Sequence, residues 1–425
     1  MKAFIVTLGL GVCLVVGALT GAVAADLPRT QPEAVGLSSE RLARFEAKLR
    51  ADIERQMIPG AVLLVAREGK IAYFEAFGIQ DPATKAPMRR DSIFRIYSMT
   101  KPITSVTAMM LVEEGRMTLS DPAAKYLPSL AKMQVGVETP AAEAGGKPSF
   151  ELIPARRPIS LQDLLRHTSG FTYGFFGEGA VKQLYRENLQ SGDYTNAEFV
   201  ELIAKQPLAY HPGTIWDYSY STDVLGRVIE VVDGVPLSQS FRTRLFDPLG
   251  MPDTAFAVTD AKQQERIAEP FQDDRSLGGG VMFFDPRVAG KWESGGGGLV
   301  GTAMDYARFL QMLLNGGELD GRRYLSPRTV AYMTSDHMGQ GVKPGPYYLP
   351  GPGYGFGLGF GVRLDDGVSP HPGSEGDYYW GGAGGTYFWV DPEEEMFVIF
   401  MMQSPKQRLH YRAAVRDMIY AAIVK

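Results

Sequence analysis

A serine and a lysine three positions apart are the residues of this chain best suited to chemistry. Ser98 and Lys101 lie in the run Tyr97-Ser98-Met99-Thr100-Lys101, and on a helix two such positions face the same side, one turn apart. A buried lysine ammonium is costly to keep charged, so the neutral amine can take the proton of the serine hydroxyl. The pair therefore predicts a serine nucleophile with a lysine base, which is the chemistry of acyl transfer without a metal.

A second match shows that the S-x-x-K pattern alone means little, because chance places about one in a chain of this length. Ser129 and Lys132 also fit it, but they follow Pro128 in a turn-like stretch. After Ser98, by contrast, apolar residues recur at helical spacing, and Pro102 is tolerated only in a first helical turn. We therefore expect Ser98 at a helix N-terminus, where backbone N–H groups favour a developing oxyanion. The alternative role of Ser98 is an N-cap, and one side chain can serve both.

Two tyrosines compete for the role of second catalytic group. Tyr194 precedes Thr195 and Asn196 and then a helical pattern, so it is typical of an apolar staple before a helix cap. Tyr218 lies in a turn before the helical pattern of residues 223–232. A loop residue braced by a rigid helix is a usual position for a catalytic side chain, and the residues alone leave both tyrosines open.

Several longer motifs resemble those of a known family. With them the chain, from about residue 33 to 403, resembles the β-lactamase-related serine hydrolases, and most closely the family VIII carboxylesterases, relatives of the class C β-lactamases. This resemblance implies that Tyr218 is the catalytic tyrosine and that no cofactor is needed. The motifs are Tyr-Ser-Met-Thr-Lys at 97–101, Leu-Leu-Arg-His-Thr-Ser-Gly at 164–170, Pro-Gly-Thr-Ile-Trp-Asp-Tyr-Ser at 212–219, Pro-Leu-Gly-Met-Pro-Asp-Thr at 248–254 and Trp-Gly-Gly-Ala-Gly-Gly-Thr-Tyr-Phe-Trp-Val-Asp-Pro at 380–392.

Two departures from the family pattern bear on the substrate. Tyr220 stands where the β-lactamases carry an asparagine that binds the amide side chain of a β-lactam. Trp380 stands where they carry the lysine of a Lys-Thr-Gly strand, which attracts the substrate carboxylate. Lys343-Pro344-Gly345 matches that tripeptide only superficially and is predicted to be a loop. The resemblance with these departures implies a preference for uncharged, partly apolar acyl groups.

The glycines after Trp380 are the expected place for the substrate to approach the backbone. Gly381 and Gly382 have no side chain to block that approach. The backbone N–H of Ala383 is then the expected second oxyanion donor, beside that of Ser98. The alternative is that these glycines mark a bulge and that Trp380 is merely packed.

The order of strand and helix patterns predicts an α+β fold. Strand patterns occur near both ends of the chain, whereas helices and loops fill the middle. This favours a β-lactamase-like fold, with an antiparallel sheet flanked by terminal helices and an inserted, mostly helical domain. We predict a discontinuous α/β domain at 26–120 and 290–425 and a helical domain at 121–289, with the site in the cleft between them.

The N-terminus and the overall charge limit where this protein acts and on what. Residues 1–25 combine one lysine, an apolar run and Ala-Val-Ala-Ala, which predicts a cleaved signal peptide and an exported protein, periplasmic or secreted; an uncleaved anchor is the alternative. The one cysteine, Cys13, lies in this segment, so the mature chain has no thiol nucleophile or disulfide. A net charge of −5 without a basic cluster argues against nucleic acid. We expect no membrane association after signal removal.

Together these features predict an exported serine carboxylesterase for short- to medium-chain esters, acting through an acyl-serine. Lys101 and Tyr218 would share the base role, and weak cephalosporin hydrolysis is compatible with the resemblance. One alternative is a class C-like β-lactamase or D-alanyl-D-alanine peptidase. The other is a non-catalytic cell-wall or ligand-binding module on the same fold.

Overall fold

One antiparallel sheet joins the two ends of the chain. The computed structural model describes residues 26–139, 149–189 and 192–425, so the predicted signal peptide lies outside the described residues. The strands of the described chain are β1 (Gly60–Arg67), β2 (Lys70–Asp81), β3 (Ala86–Pro87), β4 (Phe94–Arg95), β5 (Gln134–Thr139), β6 (Ser149–Pro154), β7 (Ile215–Trp216), β8 (Ser276–Gly278), β9 (Val281–Met282), β10 (Val300–Gly301), β11 (Glu318–Leu319), β12 (Arg322–Arg323), β13 (Lys343–Pro344), β14 (Tyr354–Phe356), β15 (Gly361–Arg363), β16 (Tyr378–Gly381), β17 (Tyr387–Asp391) and β18 (Met396–Met402). The main sheet has eight strands in the order β14-β15-β16-β17-β18-β1-β2-β3.

The centre of the sheet is the strand pair that brings the two termini together. Strand β1 is buried along its whole length and pairs antiparallel with β18 on one side and β2 on the other. In register, Ala61 lies opposite Met402 and Arg67 opposite Met396. Because successive side chains of a strand point to opposite faces, a continuous apolar strand such as β1 must be covered on both faces.

Helices supply that cover. Helices α1 (Ser39–Glu54) and α12 (Arg408–Tyr420) cover one face with Phe45, Leu49, Tyr411 and Val415, whereas the other face joins the large core that includes α2 (Thr100–Glu113) and α10 (Ala303–Leu314). The helices are α1 (Ser39–Glu54), α2 (Thr100–Glu113), α3 (Leu161–Leu165), α4 (Ala180–Leu189), α5 (Asn196–Ile203), α6 (Ser221–Asp233), α7 (Leu237–Phe241), α8 (Asp247–Leu249), α9 (Ala261–Gln264), α10 (Ala303–Leu314), α11 (Pro327–Met333) and α12 (Arg408–Tyr420). None of these described helices is both long and apolar enough to cross a membrane.

The middle of the chain contains more strand than the sequence indicated. Two hairpins, β5–β6 and β8–β9, lie in the region predicted to be mostly helices and loops. Most side chains of β5 and β6 are exposed. The apolar alternation in each strand is short, at Val135 and Val137 in β5 and at Phe150 and Leu152 in β6, and is therefore a weak strand signal.

Two smaller differences have local causes. The predicted loop at Lys343-Pro344 is a short strand, β13, parallel to β7. Its bonds are donated by the N–H of Lys343 to the Thr214 carbonyl (2.9 Å) and by the N–H of Gly345 to the Trp216 carbonyl (3.0 Å), so Pro344 needs no donor. The strand pattern of residues 354–364 is divided into β14 and β15 by a turn in which Gly359 has a φ of 102°.

Candidate active site

Ser98 lies in a tight turn that leads directly into α2. Residues Tyr97–Met99 form a short 3₁₀ helix, and α2 begins at Thr100 with Pro102 in its first turn. Tyr97 takes a left-handed backbone conformation, with a φ of 44°. The Met99 carbonyl accepts a hydrogen bond from the Tyr306 hydroxyl at 3.0 Å, which ties the turn to α10. The half-buried Ser98 is therefore held at the N-terminal end of a buried helix, as its spacing predicted.

Lys101 is buried among hydrogen-bonding groups, and only 1% of its surface is exposed. Its Nζ donates to the Gly296 carbonyl (2.6 Å), to the Tyr173 hydroxyl (3.2 Å) and to Ser98 Oγ (3.5 Å). It also lies 4.4 Å from the centre of the Tyr218 ring. The structure thus brings the predicted Ser98 and Tyr218 to the amine of Lys101.

Tyr218 and Trp380 meet through a hydrogen bond between their side chains. Trp380 Nε1 donates to the Tyr218 hydroxyl oxygen at 3.1 Å, and both residues are about 5% exposed or less. Tyr218 follows β7 and precedes α6, whereas Trp380 lies on β16. The Trp380 side chain is therefore packed, and its indole N–H points at Tyr218, the predicted catalytic tyrosine. The Tyr218 ring also contacts Tyr173 at a centroid distance of 5.3 Å.

The competing tyrosine, Tyr194, has a structural position. Its hydroxyl donates to the Leu189 carbonyl at 2.8 Å, and its ring stacks on Phe199. Thr195 and Glu198 form a capping box at the start of α5. Tyr194 and Phe199 flank that box as a hydrophobic staple, so none of the described contacts of Tyr194 reaches Ser98 or Lys101.

The segment after β16 packs against the turn that carries Ser98. Gly382 and Ala383 lie just past the end of the strand, and the N–H of Gly382 donates to the Thr386 carbonyl at 2.8 Å. A side chain at Gly382 would come within 2.6 Å of the Ile96 carbonyl oxygen, and one at Gly384 within 2.9 Å of the Tyr97 ring. Ala383 is thus held between two close approaches to residues 96–97. An oxyanion role for the N–H groups of Ser98 and Ala383 stays a prediction.

Tyr220 contacts the site indirectly, through the ring of Tyr173. It stands at the start of α6, and its ring centre lies 4.3 Å from that of Tyr173 and 5.3 Å from that of Phe199. Burial raises the pKa of Tyr220 well above its usual value, with Asp223 acting in the same direction. Tyr220 is therefore part of the packed wall behind Tyr173, and a direct contact with substrate stays a prediction.

Two groups that hold Lys101 did not emerge from the sequence as site residues. Tyr173 follows the 164–170 motif by three residues, and Gly296 lies in the glycine run after Ser294. The carboxylate of Asp223 accepts from Ser294 Oγ and from the N–H of Gly296 (3.2 Å). A side chain at Gly296 would come within 2.3 Å of that carboxylate. Burial raises the pKa of Asp223, whereas the charge of Lys101 acts to lower it.

A buried ion pair braces both tyrosine-bearing segments. Lys182 of α4 donates to Thr172 Oγ1 at 2.8 Å and lies 3.3 Å from Asp217 Oδ2. Thr172 adjoins Tyr173 in the chain, and Asp217 adjoins Tyr218. Burial raises the pKa of Asp217, and Lys182 opposes that shift.

His167 packs under the Tyr218 ring and supports it. The two ring centres are 4.8 Å apart, and His167 Nδ1 lies 3.3 Å from Ser219 Oγ. Burial lowers the pKa of His167 well below its usual value, and the nearby charge of Lys101 acts in the same direction. This fits a bracing role for His167 better than that of a general base. Within the described residues no cluster of three or more His, Cys, Asp or Glu side chains could hold a metal ion.

The fold and this arrangement define a class of protein. The model of the beta-lactamase family matches residues 45–421, and the chain belongs to that family. The predicted β-lactamase-like fold, the resemblance to family VIII carboxylesterases and the serine hydrolase class are confirmed by the matches.

Three similar proteins illustrate these matches. Esterase EstB of Burkholderia gladioli is 31% identical over 417 residues, which cover 92% of this chain and 98% of the relative. Protein Rv1367c of Mycobacterium tuberculosis is 36% identical over 84% of this chain and 89% of its own length. Among solved structures, EstCE1, described as a hydrolase with promiscuous acyltransferase activity, superposes with a TM-score of 0.73 at 29% identity, covering 89% of this chain and 98% of that one.

Proposed function

We propose that this chain is a serine carboxylesterase that hydrolyses short- to medium-chain carboxylic esters through an acyl-serine intermediate. The observation that carries the proposal is the convergence on Lys101, whose buried Nζ contacts Ser98 Oγ while the Tyr218 ring packs against it. The names of EstB, an esterase, and EstCE1, a hydrolase, support an ester as the substrate.

The acylation half of the reaction follows from these positions. Ser98 Oγ attacks the ester carbonyl carbon while its proton passes to the Lys101 and Tyr218 pair. The C=O π electrons move to oxygen, and the N–H groups of Ser98 and Ala383 stabilise that oxyanion. When the tetrahedral intermediate collapses, the bond to the alcohol oxygen breaks. The alcohol takes the proton from the pair and leaves, and the acyl group remains on Ser98.

Deacylation uses the same groups in reverse. A water gives a proton to the Lys101 and Tyr218 pair and attacks the acyl carbon; collapse of the second intermediate returns the proton to Ser98 Oγ and releases the acid. The indole N–H of Trp380 donates to the Tyr218 oxygen, so it stabilises a phenolate there and leaves the phenol hydrogen free to be donated. A second alcohol in place of water would give acyl transfer.

The end of strand β16 would bind the substrate and help determine which esters are accepted. We propose that the ester lies along Gly381 and Gly382, with the indole of Trp380 beside its acyl group and Tyr220 behind the wall of the pocket. A class C-like β-lactamase or D-alanyl-D-alanine peptidase would share the nucleophile, and membership of the beta-lactamase family favours it as second candidate. Because Trp380 carries no charge and Tyr220 packs on Tyr173, we expect cephalosporin hydrolysis to be weak.

The test is a comparison of kcat/KM for p-nitrophenyl butyrate and for a chromogenic cephalosporin, with Ser98→Ala and Ser129→Ala as matched variants. The proposal expects strong preference for the ester, loss of turnover in Ser98→Ala and normal turnover in Ser129→Ala. A preference for the cephalosporin would establish the β-lactamase alternative. If wild type turned over neither compound and Ser98 did not react with a fluorophosphonate, a non-catalytic binding module would replace the esterase.

Export and domain division are part of the proposal. We propose that residues 1–25 direct the chain out of the cytoplasm and are removed, and that residues 121–289 form a helical domain inserted between 26–120 and 290–425. The N-terminal sequence of the protein recovered from its native host tests the first point, and a start at Met1 would contradict it. Limited proteolysis tests the domain division, and we expect the first stable cuts near residues 120 and 290.

A further inference from the structure

Tyr97, the residue before the proposed nucleophile, packs against the segment that carries the other proposed oxyanion donor. Gly384 directly follows Ala383, and a side chain at Gly384 would come within 2.9 Å of Cε2 and 3.1 Å of Cδ2 of the Tyr97 ring. The ring therefore lies directly against the backbone of residue 384. One side chain thus links Ser98, its neighbour in the chain, to the segment of Ala383.

The two proposed donors are available to a ligand, and the backbone beside them is fixed. None of the hydrogen bonds between described residues is donated by the backbone N–H of Ser98 or of Ala383. The Gly384 carbonyl, by contrast, accepts from the N–H of Ser404 at 2.7 Å. Both donors must lie about 3 Å from the same oxygen to stabilise an oxyanion, so the two segments have to keep a fixed separation.

The Tyr97 ring is also held by a cluster of aromatic side chains from another part of the chain. The ring centres of Phe283 and Phe284 each lie 5.4 Å from it, in edge-to-face geometry. Arg95 holds both of them, since its guanidinium lies 5.3 Å from the Phe283 ring centre and its Nε donates to the Phe284 carbonyl at 2.7 Å. Arg95 is itself buried and pairs with Glu269 at 3.1 Å. The ring is therefore fixed by contacts with two separate segments.

This packing involves the ring of Tyr97 rather than its hydroxyl group. The hydroxyl lies near the backbone of Phe284, but it makes no hydrogen bond of normal geometry with a described group. Burial raises the pKa of Tyr97 above its usual value, so the phenol stays neutral. A neutral phenol does not act as a general base, which leaves the shape of the ring as its contribution.

We propose that the Tyr97 ring is the spacer that sets the separation between the N–H groups of Ser98 and Ala383, and that Tyr97 is thereby a positioning residue for the oxyanion. The inference rests on the proposed esterase function and concerns how that site stabilises its transition state. Donors aimed at a developing charge act mainly in the transition state. Loss of the spacer should therefore lower kcat and leave KM nearly unchanged.

The first experiment changes the ring in the full chain. Tyr97→Leu removes the ring, Tyr97→Phe keeps it, and Phe45→Leu removes another buried ring on the opposite face of the main sheet. For each variant, kcat and KM are measured with p-nitrophenyl butyrate, and Ki is measured for butylboronic acid. The tetrahedral adduct of a boronic acid with a serine resembles the intermediate, so its affinity reports on the oxyanion donors.

The expected losses distinguish positioning from general destabilisation. In Tyr97→Leu, kcat should fall about tenfold to 10²-fold, somewhat less than the loss from removing a donor outright. The Ki of the boronic acid should rise by a similar factor, while KM stays within about twofold. Tyr97→Phe should retain kcat and Ki within about threefold, because the ring is kept. Phe45→Leu should lower the free energy of unfolding and leave kcat and Ki unchanged.

A second experiment uses Gly384, the contact partner of the ring. Gly384 does not have a left-handed backbone, so alanine is allowed there, but its methyl group would press on the Tyr97 ring. Gly384→Ala alone should lower kcat by about threefold or more, whereas in the Tyr97→Leu background the same change should have little further effect. Such non-additive losses would show that the two residues act through one contact.

Values of kcat and Ki within about twofold of wild type in Tyr97→Leu, or equal losses in Phe45→Leu, would overturn this inference alone. Fully additive losses in Tyr97→Leu and Gly384→Ala would do the same. Should Tyr97→Leu not fold, Gly384→Ala decides, and an unchanged kcat in that variant would overturn the inference. Absence of ester turnover by wild type would overturn the proposed esterase function, and this inference with it.

Discussion

The chain holds the same S-x-x-K pattern twice, and the two copies have different surroundings. Ser98 lies in the turn into a buried helix, and Lys101 is enclosed with its Nζ within 3.5 Å of Ser98 Oγ. Ser129 lies in the short 3₁₀ helix Pro128–Leu130, and the side chain of Lys132 is exposed. None of the described hydrogen bonds joins Ser129 to Lys132, and Ser129 Oγ has no partner.

The proposed reactivity of Ser98 therefore depends on the groups that enclose Lys101. An exposed lysine is surrounded by water, so no protein group holds its amine against a serine hydroxyl. A buried amine surrounded by two tyrosines and a carbonyl can exchange protons within a fixed geometry. Substitutions of matched residues in the two regions test this difference.

The largest expected effect is the loss of the nucleophile. Ser98→Ala should lower kcat/KM for p-nitrophenyl butyrate by roughly 10⁴-fold or more, because it removes the hydroxyl on which the acyl intermediate is proposed to form. Ser129→Ala should change it by less than about twofold. Equal losses in the two variants would mean that the turn at Ser98 is not the reaction centre.

The two tyrosines should differ almost as strongly. Tyr218→Phe removes the hydroxyl that accepts from Trp380 and should lower kcat by roughly 10²–10⁴-fold, the usual contribution of a general base. Tyr194→Phe loses only the bond to the Leu189 carbonyl, so it should lower stability by about 1 kcal/mol and leave kcat unchanged. Steady-state kinetics with chemical denaturation separates the two effects, and a strong kcat defect in Tyr194→Phe would contradict the assignment.

A lysine–aspartate pair near each region should also respond differently. Lys182→Met leaves Asp217 buried without its cation and should lower the free energy of unfolding by roughly 3–5 kcal/mol. Lys125→Met breaks an exposed pair with Asp121, close to Ser129, and should have no measurable effect. Urea denaturation of both variants is the measurement, and equal stabilities would show that Lys182 does not brace Tyr173 and Tyr218.

The smallest expected effect is a pH dependence from His167. Its folded pKa lies below the unfolded value of about 6.5, so the unfolded chain binds the extra proton and stability falls as the pH falls below that value. Between pH 7 and pH 5 wild type should lose about 2 kcal/mol more than His167→Asn. Asparagine tolerates the φ of 56° at this position. Identical pH profiles by urea denaturation would show that His167 is charged in the folded state.

Local patterns explain what the sequence could predict. Ser98 and Lys101 were recognisable because the helix that carries them also fixes their geometry, and the sheet from both termini followed from continuous apolar strands such as Met396–Met402. The catalytic assignment of Tyr218 needed the family resemblance, since spacing alone did not separate it from Tyr194.

Contacts between distant parts of the chain explain what was missed. Tyr173 and Gly296 reach Lys101 from 72 and 195 residues away, and no motif in the sequence predicted a contact of either residue with Lys101. Tyr97 meets Gly384 only because the segment after β16 packs on its turn. The hairpin β5–β6 was missed because the apolar alternation in each of its strands is short.

The most direct test of the central claim is to locate the reactive serine. The full chain is treated with a fluorophosphonate, digested, and the labelled peptide is identified by mass spectrometry. We predict a single label on Ser98, slower labelling in Lys101→Met, unchanged labelling in Lys132→Met and none in Ser98→Ala. A label on Ser129, or labelling that persists in Ser98→Ala, would contradict the claim that burial of Lys101 selects Ser98 as the nucleophile.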